Sequence, residues 1–241
     1  MNFMDESEAR EEICRVGKSL FERGYVHSSA GNISVRLEDG FLITPTDAVL
    51  GFLDPKRISK VSLTGEHISG DKPSKTLALH QAIVSAAVNS KVNAENASYS
   101  KTACVIHTHS TYCVALSILL TKLTQGSTKQ ELLRPITPYF VMKVGHVPLI
   151  DYRRPGDLQV PKLVVTAIDE YAKNGTPIRC VMLSALGPLV WHETPAQAMA
   201  TLEELEESAK LSYLLSAQDL KNLQLQDSQI AELRDVFKAV W

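Results

Sequence analysis

Short turn signals between apolar segments are the feature that most restricts the fold of this chain. Strand patterns over 41–44 and 58–63 are followed by turn-forming runs at 44–47 and 64–66, and connections this short join antiparallel strands. Helical periodicity also occurs, as in the run 73–88. Strands joined by hairpins and interrupted by helices favour an α/β fold over a chain of βαβ units. The expected architecture is a three-layer α/β/α arrangement with a central mixed, mainly antiparallel sheet.

Other segments continue this pattern. Asp5 or Ser7 is predicted to cap a first helix that ends at Gly24, and Ser110 or Thr111 to cap a helix that follows an apolar strand. The remaining predictions are strands over 102–107, 179–183 and 189–191, a turn at Gly187 and Pro188, helices over 161–173 and 194–215, a surface loop over 89–101, and irregular backbone over 121–130 and 134–161.

Neither a repeat nor a shift of composition divides the 241 residues. We therefore expect one domain, 1–241, with a C-terminal helical tail over about 219–241.

Composition excludes several classes of function. The net charge of −2 and the ordinary share of apolar residues give no sign of a nucleic-acid or membrane partner. No apolar run approaches the length of a bilayer span, and the N-terminal segment lacks the features of a secretion signal. Four scattered cysteines suggest reduced thiols rather than a disulfide framework: Cys14, Cys104, Cys113 and Cys180. We expect a cytoplasmic protein.

Two histidines stand at the end of the strand that covers 102–107. Residues two apart on a strand point to the same face, so His107 and His109 should project together at the rim of the sheet. Two imidazoles on one face can bind one metal ion, and zinc is a usual choice for nitrogen ligands. Taken alone, the pair is equally consistent with two solvated histidines at the rim.

Three small polar turns are candidate phosphate sites. They cover 28–32, 44–47 and 73–75, and the last of these stands at a predicted helix N-terminus. Backbone N–H groups exposed in such turns, and at helix N-termini, favour anions. Each turn taken separately is also explained by ordinary turn chemistry.

The sequences of these segments, and their order along the chain, resemble those of a known family. SSAGNIS, LITPT, KPS and HTHS, followed by RPGD, GPLVW and a long helix, resemble the class II aldolase/adducin family over roughly residues 8–216. The segment ITPYFVMKVGHVPLI before RPGD is most similar to the branch of 3-oxo-tetronate 4-phosphate decarboxylases and fuculose-phosphate aldolases. The resemblance implies a carbohydrate-metabolising lyase that acts on a phosphorylated sugar acid or ketose. It also implies a homotetramer with its site between subunits.

The resemblance also implies metal-binding and substrate-binding roles for individual residues. It implies a Zn²⁺ ion, held by three histidines beside a catalytic glutamate, that stabilises the enediolate left when a carbon–carbon bond breaks. His107 and His109 match the first two ligands. The positions that match the substrate-phosphate site are Ser29, Asn32, Thr44 and Ser74. The C-terminal tail either covers a neighbouring subunit's site, as in the family, or packs on its own chain.

Two positions depart from the family pattern. Thr76 occupies the position of the catalytic glutamate, and Leu186 that of the third zinc histidine. Threonine is no general base near neutral pH, and leucine binds no metal. Candidate substitutes are His80, one helical turn beyond Thr76 and otherwise a core histidine, and, more remotely, His146, His192 and Glu66.

Two interpretations follow from these departures. The chain is a lyase with an altered metal site, in which decarboxylation survives better than aldol cleavage. Alternatively, it is a catalytically dead binding or assembly module of the adducin kind.

Overall fold

One mixed sheet of eight strands crosses the protein in this computed structural model, which describes residues 3–90, 94–123, 130–218 and 220–241. The strands are β1 Asn32–Arg36, β2 Gly40–Ile43, β3 Ser59–Ser62, β4 His67–Ser69, β5 Cys104–His107, β6 Leu149–Ile150, β7 Cys180–Leu183 and β8 Gly187–His192. Their order is β4-β3-β2-β1-β5-β8-β7-β6. Only the β6–β7 pair is parallel among the described residues. The predicted mixed, mainly antiparallel sheet is confirmed.

Helices cover both faces of the sheet. They are α1 Glu6–Glu22, α2 Leu77–Asn89, α3 Thr111–Leu123, α4 Pro138–Lys143, α5 Val160–Lys173, α6 Pro195–Leu214 and α7 Asp227–Phe237. Alternate residues of β5 enter different cores: Val105 packs with α2 and α5, whereas Cys104 and Ile106 pack with α1, α3 and α6. The three-layer prediction is therefore confirmed. In the described ranges no helix combines the length and apolarity that a bilayer crossing requires.

Several predicted boundaries were wrong. Within the predicted loop 89–101, residues Ala94–Lys101 form 3₁₀ turns and 91–93 lie outside the described residues. The predicted irregular stretch 121–130 begins inside α3, and 124–129 lie outside the description. The stretch 134–161 contains α4 and β6. Its prolines suggested irregular backbone, but Pro138 is the first residue of α4, where a proline is tolerated.

Two turns are displaced from their predicted positions. Helix α2 begins at Leu77 rather than Pro73, because residues 73–76 instead form a turn that bridges to Pro45. The turn before β8 lies at 184–186, where Ala185 has a positive φ of 59°. Gly187 and Pro188 are therefore part of β8 and not of the turn.

The C-terminal tail is not one helix. Residues Leu220–Leu223 form a 3₁₀ turn, residue 219 lies outside the described part, and α7 ends at Phe237. The tail packs on its own chain: Trp241 stacks on His146 with ring centres 4.3 Å apart. Whether it also covers a neighbouring subunit stays a prediction.

A carboxylate from another helix caps α3. Asp5 caps α1 as predicted, since its carboxylate accepts the Ser7 amide at 2.9 Å. For α3 the prediction was wrong: the Ser110 hydroxyl pairs with Thr108, and the caps come from Glu206 of α6. The amides of Tyr112 and Cys113 donate to its two carboxylate oxygens at 2.8 and 3.1 Å. Two otherwise unpaired amides at the positive end of the helix are thereby satisfied.

We expect Glu206→Ala to lower the free energy of unfolding by about 2–4 kcal/mol, because one buried and one part-buried amide lose a charged acceptor. Urea denaturation measures this loss. The neighbouring Glu207 is more exposed and pairs with Lys210 at 3.9 Å, so Glu207→Ala is the matched control and should cost less than about 0.5 kcal/mol. Equal losses in the two variants would contradict the role of the cap.

His80 lies wholly inside the core between α2 and the sheet. Its Nδ1 is 2.7 Å from the Ser34 hydroxyl of β1, and its Nε2 has no hydrogen-bond partner in the described structure. Burial, and secondarily the nearby His107, lowers the pKa of His80 to about 3. The imidazole is therefore neutral in the folded protein at neutral pH.

This burial predicts an acid-sensitive fold. Below the unfolded-state pKa near 6.5 unfolding takes up a proton at His80, so the folded state loses up to about 1.4 kcal/mol per pH unit from this group as the pH falls toward 3. Above pH 6.5 the group adds no pH dependence. Urea denaturation in EDTA at pH 7, 6 and 5 should show a smaller slope for His80→Asn than for the wild type. His67→Asn, at an exposed histidine of β4, should keep the wild-type slope. An unchanged slope in His80→Asn would contradict the assignment.

Candidate functional site

His107 is fixed in orientation by the neighbouring strand. It ends β5, is 8% exposed, and its Nδ1 lies 2.9 Å from the carbonyl oxygen of Pro188 on β8. A carbonyl can only accept, so Nδ1 carries the proton and Nε2 keeps its lone pair. A hydrogen bond of this kind on the second ring nitrogen is typical of metal-binding histidines. The structure thus presents His107 as a preformed nitrogen donor.

His109 lies beside it. The ring centres of His107 and His109 are 5.1 Å apart, and the ring planes meet at 64°. Two imidazoles that bind one zinc ion tetrahedrally, through nitrogens at about 2.0–2.1 Å, hold their ring centres about 5 Å apart. The spacing of this pair therefore fits two ligands of one metal ion.

Electrostatics keeps both imidazoles neutral. Burial, with His109 nearby, lowers the pKa of His107 to about 4, against the opposing effect of the hydrogen bond that its Nδ1 donates to the Pro188 carbonyl. Burial and then His27 lower the pKa of His109. Because only neutral imidazole has a lone pair for a metal, the pair can bind at neutral pH without first losing protons.

The β1–β5 pairing brings an amide to the same place. Asn32 stands directly opposite His107 in the antiparallel register, so both side chains are on the α2 side of the sheet. The Asn32 Oδ1 atom is buried and has no hydrogen-bond partner within the described structure. An unpartnered buried acceptor indicates a ligand or an ordered water.

The three predicted phosphate turns meet around this point. The Ser74 amide donates to the Thr44 carbonyl at 3.3 Å, and the Thr44 hydroxyl accepts the Ile33 amide at 3.2 Å, next to Asn32. Thr44 is buried, Ser74 is half-buried, and Ser29 is exposed on the turn before β1. The structure thus brings these residues to one end of the sheet. Phosphate binding by Ser29, Asn32, Thr44 and Ser74 stays a prediction.

Thr76 and Leu186, the two residues that depart from the family pattern, flank the same end of the sheet. Thr76 directly precedes α2, and its hydroxyl lies 3.0 Å from that of Ser74. Leu186 ends the turn before β8 and packs its half-buried side chain on the apolar cluster of the α2–α5 face. The next residue, Gly187, approaches the backbone of Thr108 so closely that a Cβ atom would lie 1.9 Å from its carbonyl oxygen. Position 186 is therefore next to the histidine pair and supplies no ligand.

The residues considered as substitutes for the missing base and the missing metal ligand lie in different parts of the structure. His80 is near His107 but wholly buried. His146 stacks on Trp241 and lies 3.3 Å from a Glu131 oxygen. His192 pairs with Cys104 at the other end of β5, and Glu66 is exposed in the β3–β4 turn.

Sequence reasoning missed His27. Its ring centre is 6.3 Å from that of His109. Its place directly before the 28–32 turn is the signal that could have found it. Even so, nowhere in the described ranges do three His, Cys, Asp or Glu side chains stand together closely enough to hold a metal ion. The residues present fit two ligands of a metal and not a complete three-histidine set.

Comparisons with known proteins agree with this description. The sequence matches the family described as Class II Aldolase and Adducin N-terminal domain over residues 11–213. A Cupriavidus necator protein named 3-oxo-tetronate 4-phosphate decarboxylase is 48% identical over 240 residues, which cover 98% of this chain and 99% of that protein. A protein of the same name from Escherichia coli K12 is 41% identical over 95% of this chain and 96% of its own length.

Solved structures give the same result. YgbL from Klebsiella pneumoniae superposes with a TM-score of 0.78 at 37% identity, covering 96% of this chain and all of that chain (100%). An L-fuculose 1-phosphate aldolase shares the fold, with a TM-score of 0.72 at 20% identity over 98% of both chains. Members of this family generally depend on a divalent metal. The chain belongs to the class II aldolase/adducin family.

Proposed function

We propose that this chain is a zinc-dependent sugar-phosphate lyase that decarboxylates a 3-oxo-tetronate 4-phosphate to a triose phosphate and CO₂. The observation that carries the proposal is the neutral pair His107 and His109, with ring centres 5.1 Å apart and His107 oriented by Pro188, at the end of the sheet where the polar turns meet. The names of relatives 48% and 41% identical support the choice of substrate.

The proposed reaction breaks one carbon–carbon bond. The substrate is a β-keto acid: its carboxylate leaves as CO₂, the bonding electron pair moves toward the 3-oxo carbonyl oxygen, and the carbon left behind takes up one proton. His107 and His109 would hold a divalent metal, which would supply a Lewis acid for the negative charge that develops on that oxygen.

The chain's own residues bind and orient the substrate. The turn at Ser74 stands before the N-terminus of α2, where backbone amides favour a phosphate. Asn32 offers an unpartnered amide oxygen beside His107 that can accept a hydrogen bond from a substrate hydroxyl. Thr76 holds the Ser74 hydroxyl at 3.0 Å and acts as neither acid nor base.

The absence of a base at position 76 favours decarboxylation over aldol cleavage. Retro-aldol cleavage begins with removal of a hydroxyl proton, and general-base catalysis contributes about 10²–10⁴-fold. Decarboxylation of a β-keto acid begins without removing a proton and requires only an acceptor for the electron pair.

We expect CO₂ release from 3-oxo-tetronate 4-phosphate to exceed retro-aldol cleavage of L-fuculose 1-phosphate by about 100-fold or more, since only the second reaction needs the missing base. Coupled assays for CO₂ and for triose phosphate measure both rates on zinc-loaded protein. The double variant His107→Ala/His109→Ala is the control for contaminating enzymes. Faster retro-aldol turnover than decarboxylation would refute the preference.

Thr76 and Leu186 favour a second candidate, a sugar-phosphate-binding module without turnover. Both positions lie at the site, and neither supplies a base or ligand. This candidate retains the polar turns and therefore retains binding of a phosphorylated sugar acid. Binding of 3-oxo-tetronate 4-phosphate with no CO₂ release above the double-alanine control would favour the module.

We expect the double variant Thr76→Glu/Leu186→His to cleave L-fuculose 1-phosphate at least about 100-fold faster than the wild type, because it supplies the carboxylate base that retro-aldol cleavage needs and an additional nitrogen ligand. The paired control Thr76→Gln/Leu186→Asn supplies similar volumes without a base or an imidazole. A coupled assay for the triose phosphate released by retro-aldol cleavage compares the variants. No gain over the control would mean that these two positions do not face the reacting groups.

The proposal includes a homotetramer in the cytoplasm. A phosphorylated sugar acid is charged and is retained inside the cell that makes it, which places its enzyme there. Light scattering on the purified chain tests the assembly.

A further inference from the structure

His27 is the third histidine at the end of the sheet. It is exposed on the turn that precedes β1, and its ring meets that of His109 edge-on, at 78° and 6.3 Å between ring centres. Its side chain makes no hydrogen bond within the part of the chain that the structure describes. The mechanism above assigns it no role.

The turn that carries His27 is pressed against His107. Gly31 has a φ of +83°, and a Cβ atom there would lie 2.9 Å from the carbonyl oxygen of His107. The His27 carbonyl accepts the Ala30 amide at 3.0 Å, which closes the turn. The backbone of His27 is therefore held beside the histidine pair, while its exposed side chain can rotate.

We propose that His27 is the third nitrogen ligand of a divalent-metal site formed with His107 and His109. Metal sites in enzymes keep three protein ligands and one open position, and the histidine pair supplies two. The metal's role rests on the proposed function, but the site itself is a property of these three side chains.

The His27 ring must move toward the pair to complete the site. The His27–His109 ring centres are about 1 Å farther apart than two imidazoles on one zinc ion require. In the present arrangement the three side chains are not close enough to hold an ion. The same is true of every other group of three His, Cys, Asp or Glu residues in the described ranges. Rotation of an exposed side chain takes picoseconds to nanoseconds, so the ring can turn toward the pair when metal arrives.

His80 is the competing candidate, because its buried Nε2 has no partner in the described structure. Its Nδ1 is bound to Ser34 and the residue lies in the middle of α2, packed on the sheet. It could reach a metal held by His107 and His109 only if the helix shifted. His27 stands on an exposed turn beside His109, so its side chain can move without a shift of any helix.

The test is metal binding, measured apart from turnover. Metal-free protein is titrated with Zn²⁺ by calorimetry and with Co²⁺ by visible absorption, and X-ray absorption counts the imidazoles on the bound ion. The variants are His27→Ala, His109→Ala as the reference for loss of one ligand, and His67→Ala as the matched exposed control. Circular dichroism in EDTA checks that all of them fold.

The wild type and His67→Ala should bind one ion through three imidazoles. His27→Ala should keep two and bind zinc more than about 100-fold more weakly, since loss of a direct ligand costs more than the 10–100-fold typical of an outer partner. Unchanged affinity in His27→Ala, three imidazoles remaining there, or a wild type that binds no metal would overturn the inference.

The proposed function can fail separately. Metal held through His27 without CO₂ release would leave this inference standing and refute the decarboxylase. CO₂ release, together with a metal affinity that His27→Ala leaves unchanged, would support the decarboxylase and refute the role of His27.

Discussion

The antiparallel pairing of β1 with β5 is the constraint on which the site depends. It sets Asn32 opposite His107 and Ser34 opposite Val105, and so puts the amide, the first histidine and the partner of His80 on one face. A shift by one residue would turn every one of these side chains to the opposite face. The apolar residues between them prevent such a shift, because Ile33 and Ile106 are both wholly buried in the other core.

Close backbone contacts then hold the loops on this frame. Gly31 lies against the carbonyl of His107, and Gly187 lies against that of Thr108, each at a distance that no side chain could occupy. Two turns from distant parts of the sequence are thus pressed onto one three-residue segment. The histidines are positioned by the backbone rather than by the groups at positions 76 and 186. This explains how the chain can replace a base and a ligand and keep its scaffold: Leu186 adds to an apolar cluster, and Thr76 only precedes a helix.

Sequence patterns predicted those features that depend on neighbours along the chain. The two-residue period of a strand end placed His107 and His109 together, and cap chemistry found Asp5. Features that depend on contacts between residues far apart in the sequence could not be predicted from these patterns. The cap of α3 comes from Glu206, 93 and 94 residues away along the chain, and the bridge between Pro45 and Pro73 delays the start of α2. The turn before β8 was predicted too far along the chain, because the positive φ of Ala185 is not signalled by a glycine. His27 was missed because an exposed loop side chain has no periodicity.

Unpartnered buried atoms connect the fold to its ligand. Asn32 Oδ1 and His80 Nε2 have no hydrogen-bond partner in the described structure, and each such atom costs roughly 1–3 kcal/mol. Both are near His107, whose ring is kept neutral by the same burial. A protein that only needed a stable core would satisfy these atoms or replace them by apolar groups. The cost at Asn32 is recovered when a ligand donates a hydrogen bond to its Oδ1 atom, so the stability lost in the free protein becomes affinity for what binds there. The substitutions at 76 and 186 leave this arrangement in place, and binding at the end of the sheet therefore survives changes that remove parts of the chemistry.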